Sequence, residues 1–264
     1  MKIGILGSKG FVGRNLLFFL SQKYEVVNVN RDVLDLLDID KVKEFLKLHK
    51  FDVIINCAAT MTNTINDLKN NLGLYMNFYT HADLFGKFIN TASAAEYDRQ
   101  RNISLAKEEE IWLRLPDDFY GLGQNLRSRL SWSKDNFYNL RIFNCFGPGE
   151  LDTRIFPRIL NSKEPNFKIT DNRYFDYFSI ADLCKVVDFY INYTIPDWAK
   201  DINCVYPEKY LISDVIDKFN QIHNLNKNIE IHSSSDKNYT GNAEKLNKLT
   251  IALSGLDKAL KGYL

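Results

Sequence analysis

Ile3-Gly4-Ile5-Leu6-Gly7-Ser8-Lys9-Gly10-Phe11-Val12-Gly13 decides the fold class of this 264-residue chain. An apolar run is followed at once by a glycine turn and then by an amphipathic stretch, Phe11 to Leu20. The pattern predicts a buried strand, a tight turn and a helix, the parts of a dinucleotide site. Gly7 permits the turn, Gly10 lets the backbone approach a pyrophosphate, and Gly13 lets the helix pack against the strand. The helix N-terminus, with Phe11 and Val12 in its first turn, offers free N–H groups and the positive end of its dipole to an anion. The spacing is G-x-x-G-x-x-G rather than G-x-G-x-x-G, so position at the end of a strand carries the reading.

Strand and helix patterns alternate onward from this unit. Tyr24–Val29, Phe51–Cys57, Lys87–Thr91 and Tyr138–Phe143 read as strands. Segments 40–49, 66–85 and 118–131 read as helices. Phe51–Cys57 is almost continuously apolar, as a strand covered on both faces must be. The rhythm predicts an α/β fold, a Rossmann-type doubly wound parallel sheet with right-handed crossovers. After Gly147-Pro148-Gly149 the pattern loosens. Residues 1–147 with 176–205 are expected to form the dinucleotide-binding domain. Residues 148–175 with 206–264 are expected to form a small C-terminal substrate-binding lobe, with Ser233–Thr240 as a polar loop.

Composition narrows the function classes. A net charge of +1 lacks the cationic excess that nucleic-acid binding requires. No stretch is long and apolar enough to span a bilayer as a helix. The four cysteines lie far apart without C-x-x-C spacing, and the four histidines show no metal-ligand spacing, so buried thiols in a reducing cytoplasm and no metal are expected. The second strand ends Asn28-Val29-Asn30-Arg31, without the carboxylate that grips ribose hydroxyls in NAD sites. Arg31, with Lys9 from the glycine loop, suits a 2′-phosphate instead, which favours NADP(H) over NAD(H). The competing role for Arg31 is a solvated residue paired with Asp32.

Taken in order, several blocks resemble the extended short-chain dehydrogenase/reductases that act on nucleotide sugars. They are the glycine turn, Arg31-Asp32-Val33-Leu34-Asp35-Leu36-Leu37-Asp38, Asn56-Cys57-Ala58-Ala59, Ser93-Ala94-Ala95-Glu96-Tyr97, Tyr120-Gly121-Leu122 and Arg141-Ile142-Phe143-Asn144-Cys145-Phe146-Gly147-Pro148. The resemblance implies that Asp35 and Leu36 flank the adenine, and that Ala58, Ala59 and Phe143 line the cofactor. It implies that Ser93 hydrogen-bonds the reacting sugar oxygen, with Asn144 nearby. Tyr120 becomes the general acid/base, exchanging a proton with that oxygen while hydride moves between nicotinamide and sugar carbon. It also implies a homodimer built on the helices near 66–85 and 118–131.

Three departures qualify the resemblance. The family's tyrosine motif places a lysine four residues on, where this chain has Gln124. A cation ~4 Å from the tyrosine at an effective dielectric near 20 is worth about 4 kcal/mol, or up to ~3 pH units. Gln124 can still hydrogen-bond the nicotinamide ribose but supplies no charge, so alcohol oxidation suffers most. Ala95 and Arg154 stand where fucose synthases carry an epimerising cysteine and histidine, leaving Arg154 free to hold a diphosphate. Arg173 sits nine residues before Asp182, farther than the family's phosphate-clamping arginine. The expected activity is NADP(H)-dependent reduction of a 4-keto nucleotide sugar. A 4-epimerase, or a dinucleotide-binding scaffold without turnover, stays open.

Overall fold

The computed structural model describes residues 1–264. Its centre is a six-stranded parallel sheet of β1 (Lys2–Leu6), β2 (Glu25–Val29), β3 (Val53–Asn56), β4 (Lys87–Ser93), β6 (Phe137–Ile142) and β10 (Asp201–Cys204). The lateral order is β2-β1-β3-β4-β6-β10. β3 is buried along its whole length because helices cover both faces. β2 is the half-exposed edge. Arg31–Asp38 form turns where many doubly wound sheets place a further strand beyond the second. The order therefore reverses between β1 and β3, and the crevice at their carboxyl ends is the topological switch point.

α1 (Phe11–Leu20) and α6 (Ile180–Asn192) pack together on one face. α2 (Ile39–His49), α3 (Ile65–Thr80) and α4 (Phe119–Ser131) cover the other. Side-chain caps set where several helices begin. Asp38 accepts from the Lys41 N–H at 3.1 Å, Asp118 from Gly121 at 2.8 Å, and Ser179 from Asp182 at 3.1 Å. On the α3 face, the rings of Phe88 and Phe137 stack at 4.7 Å with Tyr75 edge-on to both. Truncating a buried phenylalanine of this kind costs about 3–5 kcal/mol.

The sequence expectation of a helix over 66–85 is shortened: α3 ends at Thr80, and Ala82–Leu84 form a separate 3₁₀ turn leading into β4. A second correction concerns 233–240, expected as loop. Its end opens β12 (Tyr239–Gly241), which pairs in parallel with β5 (Ile103–Ala106). Tyr239 buries its ring against Phe143 and Phe175, a stabilisation that no local alternation announces. Further parallel pairs, β7 (Cys145–Phe146) with β9 (Phe178–Ser179) and β8 (Asn166–Ile169) with β11 (Asn228–Ile231), complete the strands. The short α5 (Ile155–Asn161), α7 (Ile212–Ile222), α8 (Glu244–Lys248) and α9 (Leu256–Lys261) all add to the core that also contains β1, α1 and α6.

Candidate active site

The turn after β1 is built by backbone necessity. Gly7 has φ +71°, and a Cβ there would stand 2.7 Å from the Ala58 Cα. Gly13 packs onto the turn itself rather than the strand, since a Cβ would strike the Gly7 carbonyl oxygen and lie 2.8 Å from the Ser8 Cα. Gly10 is the N-cap of α1; no side chain caps the helix, and its first turn carries no acidic residue. Those free donors open into a cleft of about 510 Å³ lined by Gly10, Phe11, Val12, Gly13, Ala58 and Ala59 on one side. Uncapped N–H groups beside close-packed glycines fit the pyrophosphate of a nicotinamide dinucleotide.

Ser93, Tyr120, Phe143, Asn144, Arg154 and Arg173 line the other side of that cleft. Ser93 ends β4, and its hydroxyl accepts from the Ala95 N–H at 3.2 Å, so it caps the Ala94–Tyr97 turn as well as facing the cleft. Tyr120 enters from the first turn of α4. Close approach of that helix needs Gly121, where a Cβ would stand 2.6 Å from the Ala95 carbonyl oxygen. Burial pushes the Tyr120 hydroxyl above the usual tyrosine range; the Ser93 hydroxyl, then the Arg127 and Arg99 charges, pull it partly back.

Glu96 ties these pieces together. Its carboxylate accepts from the Ser93 N–H at 3.3 Å, the Ser128 hydroxyl at 2.9 Å and Arg141 Nε at 2.9 Å. Arg141 also binds Asp201 at 2.8 Å. Burial opposes the Arg141 charge, but the Asp201 and Glu96 carboxylates outweigh it and hold the guanidinium protonated. β6, β10, the Ser93 turn and α4 are thereby locked in one buried network.

Other predicted residues lie outside the cleft lining. Gln124 is 1% exposed, and its Oε1 has no hydrogen-bond partner. Gly7 shapes the turn from beneath. Asp35 Oδ1 accepts from the Leu37 N–H at 3.0 Å, and the Leu36 carbonyl from Asn77 of α3 at 2.8 Å. Lys9, not Arg31, pairs with Asp32, and Arg31 makes no ion pair. All four cysteines are free thiols. Cys57 is only partly buried and lines the cleft, and desolvation raises its pKa to about 12.

At the far end, Arg154 pairs with Glu150 at 3.5 Å and Arg173 with Asp171 at 3.2 Å. Both arginines also border an adjoining hollow of about 290 Å³ that adds Arg158 and Lys168. Sequence reasoning missed Thr91, Arg99, Phe175 and Tyr239 as lining residues. Arg99 follows the recognised Ser93–Tyr97 block and could have been found by adjacency. Tyr239 carries no local signal.

Comparison with known proteins places this geometry. GDP-L-colitose synthase of Yersinia pseudotuberculosis is 30% identical over 118 residues, covering 41% of this chain and only 38% of that protein. A solved dTDP-4-dehydrorhamnose reductase of Clostridium acetobutylicum superposes with TM-score 0.83 at 18% identity, covering 100% of this chain and 98% of that one. UDP-glucose 4-epimerase of Thermotoga maritima, solved with UDP-glucose, gives 0.81 at 16% identity, with 100% and 97% covered. Such identities establish the shared fold. The model of the NAD dependent epimerase/dehydratase family matches residues 3–203. That match runs from the first strand of the sheet to the last, and the chain belongs to the NAD-dependent epimerase/dehydratase family.

Proposed function

We propose that this chain is an NADP(H)-dependent nucleotide-sugar oxidoreductase that reduces a 4-keto sugar. The observation that carries the reading is the placement of Ser93 and Tyr120 on the same cleft as the uncapped N-terminus of α1. Ser93 donates a hydrogen bond to the keto oxygen and orients it. Tyr120 gives that oxygen its proton as negative charge develops there. When bound, the reduced nicotinamide supplies the hydride. Gly10 to Gly13, Ala58, Ala59 and Phe143 hold the dinucleotide, with Lys9 and Arg31 at its adenosine end. Arg154 and Arg173 meet the substrate diphosphate, and Asn144 lies beside the sugar. Residues 1–147 with 176–205 serve the cofactor, and 148–175 with 206–264 the substrate.

Reduction is favoured over 4-epimerisation because a buried tyrosine with Gln124 beside it stays protonated, and epimerisation also needs an oxidising half-reaction. Leu68, Leu72 and Met76 on α3, with Phe119, Leu122 and Leu126 on α4, leave apolar surface partly exposed, which supports a homodimer through these helices. No helix is long and apolar enough to cross a membrane, in keeping with a cytoplasmic enzyme.

The test is NADPH consumption with 4-keto forms of GDP-, UDP- and dTDP-sugars. Tyr120→Phe is expected to lose about 10²–10⁴-fold in kcat and Ser93→Ala about 10²–10³-fold. Turnover retained by Tyr120→Phe overturns the assignment. Gln124 favours one second reading, a dinucleotide-binding scaffold. NADPH binding without turnover of any keto or hydroxy nucleotide sugar establishes that reading instead.

A further inference from the structure

Arg127 lies on α4 seven residues after Tyr120 and three after Gln124. Seven residues close two helical turns to within about 20°, so Arg127 shares the Tyr120 face, and helical side chains lean toward the N-terminus. The residue is 1% exposed, and no carboxylate forms an ion pair with it. One Nη2 donates to the Asn90 Oδ1, and the guanidinium lies 5.4 Å from the Tyr75 ring centroid. Nε and Nη1 have no acceptor. One turn earlier on the same helix, Gln124 Oε1 is a buried acceptor without a donor.

A buried cation without a counter-ion is costly, and this one is held in place from the cleft side. Asn90 Oδ1 also accepts from Asn56 Nδ2 at 2.9 Å, and Asn56 Oδ1 accepts from the Ala58 N–H at 3.1 Å. The other charged groups near Tyr120 are already committed. Arg99, on the loop after the Ser93 turn, stands 5.7 Å from the Tyr120 ring centroid but pairs with Asp118 at 2.9 Å. Glu96 is bound to Arg141, itself shared with Asp201. From β12, Tyr239 presents only a phenol raised well above its usual range by burial.

We propose that Arg127 is a positioning residue for proton transfer by Tyr120, supplying from one turn further along α4 the positive charge that Gln124 lacks. The proposal rests on the reading of Tyr120 as proton donor. A cation about 10 Å along the helix axis, at an effective dielectric near 20, moves a tyrosine titration by about one pH unit. The sign is downward: the cation favours tyrosinate and makes the phenol a stronger acid.

The test compares Arg127→Gln, Arg127→Lys, Gln124→Lys and the double variant Arg127→Gln/Gln124→Lys in the full chain. The measured quantity is kcat for keto-sugar reduction against pH. A spectroscopic tyrosinate titration of the cofactor-free chain, differenced against the same background carrying Tyr120→Phe, reads Tyr120 without turnover. Arg127→Gln is expected to lose about tenfold in kcat and to move both the alkaline limb and the Tyr120 titration up by about one pH unit. Arg127→Lys keeps the limb in place. Gln124→Lys moves the limb back down in the Arg127→Gln background, where a cation is again present. Loss of activity in Arg127→Gln with limb and titration unmoved means a merely structural residue and overturns the proposal. Should Arg127→Gln fail to fold, Arg127→Met, which buries no polar group in its place, decides: a Tyr120 titration left unmoved overturns the proposal. Turnover retained by Tyr120→Phe instead overturns the underlying reading, and the proposal with it.

Discussion

Alanine placed in turn at Gly7, Gly10 and Gly13 separates what the glycine loop does for the fold from what it does for a ligand. At Gly7 an alanine must adopt φ +71°, which costs about 1–2 kcal/mol, and its methyl would stand 2.7 Å from the Ala58 backbone. Displacing that backbone adds about 1–3 kcal/mol. The sum, about 2–5 kcal/mol, lowers Tm by about 5–15 °C in a chain of this size. Gly13→Ala collides with the Gly7 carbonyl and the Ser8 Cα and should melt comparably early. Gly10 differs: its φ is −73°, and the nearest atom to an added Cβ is the Gly7 oxygen at 3.4 Å. Gly10→Ala should therefore leave Tm within about 2 °C. It should weaken NADPH binding at least about tenfold, roughly 1.4 kcal/mol, because the methyl intrudes where a pyrophosphate must approach the helix. Thermal melts by circular dichroism and NADPH titration calorimetry check both quantities. Early melting of Gly10→Ala alongside Gly7→Ala refutes the steric argument, and unchanged NADPH affinity in Gly10→Ala refutes the placement of the pyrophosphate.

Arg141→Met should destabilise the chain by about 3–5 kcal/mol in chemical denaturation, because it leaves Glu96 and Asp201 buried without their shared cation. Burial raises the Asp176 carboxyl to about 6 despite the Lys209 ammonium at 2.8 Å. Its folded form thus takes up a proton that the unfolded chain, with a carboxyl near the usual value, releases. Stability from this group is present below about pH 4 and is lost as pH rises through about 6, on the order of 3 kcal/mol. Subtracting the pH–stability profile of Asp176→Asn isolates it, and a flat difference between pH 4 and 7 contradicts the prediction. Lys9→Ala and Arg31→Ala should each cost about tenfold in NADPH affinity with little change for NADH, by direct titration. Equal losses for both dinucleotides refute a 2′-phosphate contact.

Much of the cleft was legible because its signals are local. Gly7 answers to its positive φ and Gly13 to the Gly7 carbonyl, both within one turn. The helix bearing Tyr120 starts where the Asp118 carboxylate caps it, accepting from the Gly121 N–H three residues on. Arg31–Asp38 form turns rather than another strand, with Asp35 bonded inside the turn and the Leu36 carbonyl tied to Asn77 on α3, a contact that no local pattern announces. The charge arrangement was less legible. In the sequence Gln124 reads as a lost cation, and nothing in its spacing says whether its side chain reaches the cleft.

The sequence by itself determined the alternation of strands and helices and the glycine turn after the first strand. Each follows from hydrophobic period, capping or glycine stereochemistry within a few residues. Only the tertiary structure decided that β2 closes the sheet as its edge, that Tyr239 reaches the cleft from β12, and that Glu96 ties the Ser93 turn to α4 through Ser128 and to β6 through Arg141. It also decided that Arg127 is buried without a counter-ion, one turn along α4 from Gln124. Burial and ion pairing depend on which surfaces meet after the chain has folded, and residues far apart in sequence leave no periodic trace of that meeting.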